Sequence, residues 1–389
     1  MSEARAPSRI RMTEGLGAIP PAAWDACAAP GGVRANPFLT HAFLSSLEEA
    51  GCVGPGTGWT PAHLLLETGA GDLLAAAPAY FKSHSQGEYV FDHGWAEALE
   101  RAGGRYYPKL QLAVPFTPVT GHRFLVRPDT DRPQAERALL SGAVELAARA
   151  GASSVHVTFL TRDEYTRLGT DEMLRREDQQ FHWTNEGYES FEAFLASLAS
   201  RKRKDLRKER APFAEAGISF RWLRGREITE GHWDAVFAFY MDTASRKWGR
   251  PYLNRQVFSL IGERLGEAVV LILAERAGRP IAGALNLLGT DTLFGRYWGC
   301  IEDHPFLHFE TCYYQAIDYA IAHGLARVEA GAQGAHKVAR GYRPVTTYSL
   351  HWIAHAGLRA AVARYLEAER SAVAEDRAFL EDHTPFRKG

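Results

Sequence analysis

The residues best suited to chemistry lie in one stretch, Val328 to Pro344, which reads VEAGAQGAHKVARGYRP. It holds a carboxylate (Glu329), an amide (Gln333), an imidazole (His336), an ammonium (Lys337), two guanidinium groups (Arg340 and Arg343) and a phenol (Tyr342). Glycines separate them and permit tight turns and close backbone approach. Groups of these types exchange protons and hold anions, and a loop leaving a strand is a favoured place for such work. The competing interpretation is an ordinary surface loop with scattered charge.

A second marked stretch, RKRKDLRKER from Arg201 to Arg210, has seven basic residues in ten. On a helix, positions 201, 203, 204, 207 and 208 point around the axis, more charge than one solvated face needs, so a phosphate-rich partner competes with the surface reading. The signal is local, because 45 Lys and Arg balance 46 Asp and Glu over the whole chain.

Other motifs fall away. No GxSxG elbow or Walker loop occurs, and GPGTGW at Gly54 to Trp59 follows no strand and is a plain turn. His304 and His308 are four apart, as are His351 and His355, yet the first pair spans the start of a helix and the second sits in the alternating run TTYSLHWI; no metal is expected. Cys27, Cys52, Cys300 and Cys312 show no CxxC spacing and are expected to be reduced thiols.

The elements that must position these groups are written twice. LLLETGAGDLLAAAP from Leu64 matches LILAERAGRPIAGAL from Leu271, and AVELAARAGASSVHV from Ala143 matches AIDYAIAHGLARVEA from Ala316. The offset falls from 207 to 173, so the first copy carries 34 more residues, around 96–133. Strands are expected at His63–Glu67, Leu73–Phe81 and Tyr89–Asp92, and around Leu110, Leu112 and Val114. A helix over Pro133–Ala150 precedes the strand Ser154–Phe159. In the second copy the spacing predicts a helix near Trp233–Arg246 and another after an Asn254 cap. Strands follow at Val269–Glu275, Ile281–Leu288 and Thr292–Trp298, then the strongly periodic helix Phe309–His323 and the strand Ala326–Ala330.

This is a mixed α/β (α+β) protein of two tandem domains, with mostly antiparallel sheets covered by helices. The first domain is expected at 1–185 and the second at 186–389, opening with the basic helix 201–210. A length of 389 residues, 46% hydrophobic and 23% charged, suits two globular domains. The basic N-terminus has no apolar run behind it, and the longest apolar stretch, Ala268–Ala274, is strand length, so no membrane span and a cytoplasmic location are expected.

The repeat, the basic helix, the strand pair ILAERAGRPIAGALNLL, the aromatic strand LFGRYWG and the signature GAQGAHKVARGYRP together resemble the FemAB-like family, in its peptidoglycan biosynthesis or recognition branch. NPFLTHAFLSSLEEAG, VFDHGWAEA, YYPKLQLAVPFTPVTG, FHWTNEGY and HPFLHFETCYYQAIDYAIAHG extend the resemblance over nearly the whole chain. It implies two acyltransferase domains of the GNAT type and transfer of an acyl group to an amine. Characterised members of the family use aminoacyl-tRNA and extend the peptide of a cell-wall precursor, whereas the wider superfamily uses acyl-CoA. The alternatives are an acyl-CoA-dependent N-acetyltransferase and a non-catalytic recognition module of the same fold.

CoA users commonly carry a Q/R-x-x-G-x-G/A loop before the central helix, whose N–H groups hold pyrophosphate. CIEDHPFLHFE and PVTGHRFLVRPDTDRP stand there instead. With no tightly bound cofactor expected, the donor substrate is aminoacyl-tRNA or acyl-CoA and the acceptor a peptide or small-molecule amine. Glu329 is expected to take the amine proton or hold the ammonium form of the acceptor, Lys337 and Tyr342 to complete the catalytic set, and Arg201, Arg203, Arg207, Gln333, His336, Arg340 and Arg343 to hold the donor. Asp92, His93, Trp95, Lys109, Arg296 and Trp298 are expected at the acceptor. Paired with Arg296 or Arg327, Glu329 would instead be a half-exposed strand carboxylate.

Overall fold

The computed structural model describes residues 8–30, 36–246, 251–331 and 334–387. Its residues fall into two compact units, one of 1–33, 38–178 and 346–374, the other of 34–37, 179–345 and 375–389. The sequence reading places a single boundary at 185/186. The observed division comes seven residues earlier and returns residues 346–374 to the first unit, because the strand they begin pairs there.

In the first unit the chain forms β1 (Ser8–Thr13), α1 (Pro21–Ala28), α2 (His41–Glu49), β2 (Trp59–Pro61), β3 (His63–Thr68), β4 (Leu73–Ala77), β5 (Ala79–Lys82), α3 (His93–Arg101), β6 (Lys109–Leu112), β7 (Leu125–Val126), α4 (Arg132–Arg149), β8 (Ser154–Leu160) and α5 (Arg162–Leu168). Strand β9 (Leu174–Thr184) leads out of it. One sheet has the order β1-β3-β4-β7. The single strand expected over Leu73–Phe81 is broken at Pro78, which has no N–H for the ladder, and β5 passes to a second sheet where it pairs with β2 and β6. There β6 runs parallel to β8. Every residue of β8 is buried, as suits a strand covered on both faces.

Helix α4 fills that unit's core with Leu139, Leu140, Ala143 and Ala147 against Leu64, Leu110, Val155 and Val157. Each fully buried Leu or Val there contributes about 1.5–3 kcal/mol. Its start is fixed by the Asp131 carboxylate, which accepts from Gln134 N at 3.1 Å. Tyr89–Asp92 forms no strand: Tyr89 has a left-handed backbone, with φ 59, and turns the chain into α3.

The second unit continues with α6 (Phe191–Ser197), α7 (Ser200–Arg210), α8 (Pro212–Glu215), β10 (Ile218–Arg224), α9 (Glu230–Arg246), α10 (Arg255–Leu265), β11 (Val269–Arg276), β12 (Arg279–Leu288), β13 (Thr292–Cys300), α11 (Leu307–Phe309), α12 (Gln315–Ala322) and β14 (Arg327–Glu329). Strand β15 (Arg343–Ile353) leads back to the first unit, where it pairs with β8 and is followed by α13 (Ala356–Asp382). The sheet order is β10-β11-β12-β13-β14-β9, antiparallel except for the parallel pair β13 and β14. The Asn254 cap is present, its Oδ1 accepting from Val257 N at 3.2 Å. The helix expected over Phe309–His323 is interrupted, because Glu310–Tyr314 widens into a π turn between α11 and α12.

Candidate functional site

The parallel pairing of β13 with β14 is short: Thr292, Leu293 and Phe294 face Arg327, Val328 and Glu329. After Glu329 the chain leaves the sheet, while β13 runs on to Cys300. From Gly295 onward β13 therefore has no β14 partner. A bulge sits at the same level. Leu285 faces Tyr297 and Asn286 faces Gly295, which leaves Arg296 as the extra residue. Space beside it is tight, since a Cβ on Gly295 would lie 3.3 Å from both Asn286 Oδ1 and the Glu329 carbonyl oxygen.

Glu329 ends β14, directly opposite His182 of β9. Opposed strand residues present their side chains to the same face, which brings Glu329 Oε1 to 3.8 Å from His182 Nδ1. Glu329 is 6% exposed rather than half-exposed, and its Oε2 has no hydrogen-bond partner among the described residues. Burial pushes it up to about 7, against the opposing charges of Arg327 and Arg296. Burial also drives His182 down to about 3, so it stays neutral and supplies no counter-charge.

Lys337 stands on a 3-10 turn, Ala335–Arg340, that follows β14. Its Nζ is buried, donates to the Gly331 carbonyl at 3.0 Å and lies 6.0 Å from the Phe181 ring. Burial lowers the ammonium to about 8; Cys312 opposes the shift and Arg296 adds to it. His336 Nε2 lies 3.0 Å from the Tyr313 hydroxyl, on the π turn. Tyr342 is fully buried with its ring 5.5 Å from that of Tyr313, and its hydroxyl has no partner among the described residues. Burial pushes that hydroxyl well up, so it remains a phenol with a proton to donate.

The other expected donor groups are dispersed. Arg340 is committed to Glu209 of α7 at 2.8 and 3.0 Å and stacks 3.5 Å over the Phe309 ring. Arg343 pairs with Glu186 at 2.7 Å, and Arg207 with Glu192. Arg201 is exposed and Arg203 half-buried on α7. Gln333 lies outside the described residues. Arg296 and Trp298 are half-buried on β13, with Trp298 5.1 Å from the His308 ring.

In the first unit Asp92 and Lys109 meet each other rather than an open surface. Lys109 Nζ donates to Glu88 at 2.7 Å, to Ser85 at 2.8 Å and to Asp92, and is fully buried. Burial alone would raise Asp92, but the Lys109 and His156 charges and hydrogen bonds hold it well below the usual carboxylate range. Lys82, 3.9 Å over the Trp59 ring, is lowered by burial to about 7. Trp95 packs edge-on against His351, whose Nδ1 lies 2.7 Å from His156 Nδ1. His93 is exposed and stacks on Phe91.

Sequence reasoning missed His182, Glu209, Lys82, Glu88 and His156. Strand alternation in FHWT was the available signal for His182, but its partner is known only once β9 is placed beside β14.

A family model described as FemAB-like, peptidoglycan biosynthesis/recognition, matches residues 15–388. Among solved structures, L-PGS from Bacillus licheniformis is similar with a TM-score of 0.51 and 11% identity, over 82% of this chain and 95% of that one. A conserved protein of unknown function from Bacteroides thetaiotaomicron has a TM-score of 0.51 and 11% identity, over 89% and 99%. FemX gives 0.49 and 13%, over 83% and 94%. At these identities the likeness is one of fold. No curated protein sequence matches the chain.

Proposed function

This chain belongs to the FemAB-like family, and from that premise we propose that it is an acyltransferase that forms an amide on an amine acceptor with an aminoacyl group taken from aminoacyl-tRNA. The observation that carries the reading is Glu329: a buried carboxyl, pushed up to about 7, at the divergence of β13 from β14. A general base works best when its pKa lies near the operating pH. The family's description supports a peptidoglycan-related amine as acceptor.

The acceptor nitrogen attacks the ester carbonyl carbon. Its proton passes to the Glu329 carboxylate. When the bond from the carbonyl carbon to the ribose oxygen breaks, the Lys337 ammonium supplies the proton that the leaving hydroxyl needs. One proton taken and one given leave the reaction balanced, and Glu329 then returns its proton to Lys337 through solvent. Tyr342 donates to the substrate carbonyl or to the oxyanion. Arg201 and Arg203 hold donor phosphates, and the reaction belongs in the cytoplasm, where charged tRNA is made.

Aminoacyl-tRNA is favoured over acyl-CoA because the segment before α11, Ile301–Phe306, has no glycine and contains Pro305, which lacks an N–H for pyrophosphate. The test offers the full-length protein a peptidoglycan-precursor peptide amine with either aminoacyl-tRNA or acetyl-CoA, and compares Glu329→Gln. Turnover with aminoacyl-tRNA that falls in the variant is expected. Turnover with acetyl-CoA alone would remove the donor assignment, and unchanged turnover in Glu329→Gln would remove the site.

A further inference from the structure

Helix α7 looks uniformly basic in sequence, but its last turn is built differently from its first. Glu209 accepts both Arg340 bonds and the hydroxyl bond of Tyr314, from the π turn. Arg340 belongs to the same 3-10 turn as Lys337, three residues on, and its Nη1 also donates to the His336 carbonyl at 2.8 Å. The neighbouring Arg210 makes a bidentate pair with Glu310 at 2.8 and 3.0 Å, reaches Asp318 at 2.6 Å and lies 4.2 Å over the Phe191 ring. The end of α7 therefore grips the Lys337 turn through Glu209 and the π turn with its following helix through Arg210. Earlier on the helix, Arg201, Lys204, Arg207 and Lys208 are exposed.

The Lys337 turn is also held by Val338, packed in the core of the unit, and by His336 Nε2, 3.0 Å from the Tyr313 hydroxyl; Glu209 adds the ion pair. Within it Lys337 N donates to the Gly334 carbonyl at 3.0 Å and Gly341 N to the Val338 carbonyl at 3.0 Å, bonds that shape the turn without anchoring it. Arg340 is 6% exposed, and side chains as buried as this are held by partners of opposite charge.

We propose that Glu209 is a positioning residue: through Arg340 it locks the turn that carries Lys337 to the last turn of α7, so that Lys337 and the exposed basic face of α7 keep one fixed geometry. The consequence for transfer rests on the reading of α7 as the donor face, whereas the lock itself does not. A polyanion seated on α7 would then find the Lys337 ammonium already in place, which lowers the barrier to reaction rather than strengthening binding.

The experiment uses full-length protein, Glu209→Ala, the charge exchange Glu209→Arg with Arg340→Glu, and a control, Arg221→Ala, which removes an ion pair with Glu275 elsewhere in the same unit. Amide hydrogen exchange is followed by mass spectrometry. In Glu209→Ala, peptides covering Lys337–Tyr342 exchange about tenfold faster or more while the sheet peptides stay as in the parent, a local opening that the charge exchange reverses and the control does not produce. With aminoacyl-tRNA, kcat falls about tenfold or more while KM stays within about twofold, the pattern of a contact that matters in the transition state only. Unaltered exchange at Lys337–Tyr342, or a well-folded charge exchange that restores nothing, overturns the lock. If the parent protein shows no turnover with any donor, the functional reading falls and the exchange measurement alone decides the lock.

Discussion

Glu329 and His182 face each other across the β14–β9 pairing with 3.8 Å between Oε1 and Nδ1, and neither neutralises the other. His182 is driven down to about 3 by burial, so the carboxyl opposite keeps its raised value of about 7. A charged histidine at that distance would have returned Glu329 to the ordinary carboxylate range and left it a poor base at neutral pH.

The rate should therefore depend on pH as a narrow bell. Glu329 must be ionised, so kcat/KM rises as pH passes upward through about 7, and Lys337 must be protonated, so it falls above about 8. Glu329→Gln should lose about 100-fold or more in kcat and the rising limb with it. A pH series of initial rates on parent and variant checks both.

The same carboxyl should cost stability. Its folded-state value is raised, so the favourable contribution is complete below the usual 4.5 and is lost as pH climbs through about 7. At about 1.4 kcal/mol per pH unit, full ionisation costs up to about 3 kcal/mol, and Glu329→Gln should be the more stable protein above pH 7 by that order. Urea unfolding at pH 5 and pH 8 should show the advantage only at the higher pH, the trade between stability and activity expected of a working site.

Removing Lys109 would leave Glu88 and Asp92 buried without their shared cation. Lys109→Ala should destabilise by about 3–5 kcal/mol, the usual result of breaking a buried pair from one side. Chemical denaturation measures it, and a loss under about 1 kcal/mol would mean that water replaces the ammonium.

Gly341 has φ +86, and a Cβ there would meet Phe194 Cζ at 2.6 Å. Gly341→Ala should cost about 1–3 kcal/mol through backbone strain and the displaced ring. Thermal unfolding reads the loss, and weakened Tyr342 packing should appear in its near-ultraviolet circular dichroism.

Arg201→Ala and Arg203→Ala should each weaken tRNA binding and reduce the slope of log Kd against log salt by about 1, as expected for one phosphate contact apiece. Fluorescence anisotropy over a salt series is the measurement. A slope unchanged in both variants would take α7 out of the donor site.

Much of the fold could be read from spacing alone because local signals agreed with it. The Asn254 cap, the periodic helix before β14 and the turn glycines each act within a few residues. The site was less legible. Glu329 and Lys337 stood out by type and place, but what shifts them is burial, with the Arg296 charge from another strand acting on both, none of which is local. Glu209 sat inside a run that reads as basic, and its role depends on Arg340, 131 residues away. The π turn had no signature either, because Glu310–Tyr314 keeps an apolar stripe compatible with an uninterrupted α-helix. In the first unit, the types at Asp92 and Lys109 suggested a binding surface, and only the fold shows that they satisfy one another.

The first unit is discontinuous in the chain, since the strand beside β8 and the helix after it come from residues 346–374. During synthesis, β8 emerges with one edge uncovered and stays so until residues 179–345 and the strand after them have been translated. That makes the first half of the polypeptide a client for chaperones while it waits. It also makes 1–185 a poor fragment to express by itself: lacking the strand that covers β8, it should collect as aggregates unless residues 346–374 are supplied in trans or rejoined by circular permutation.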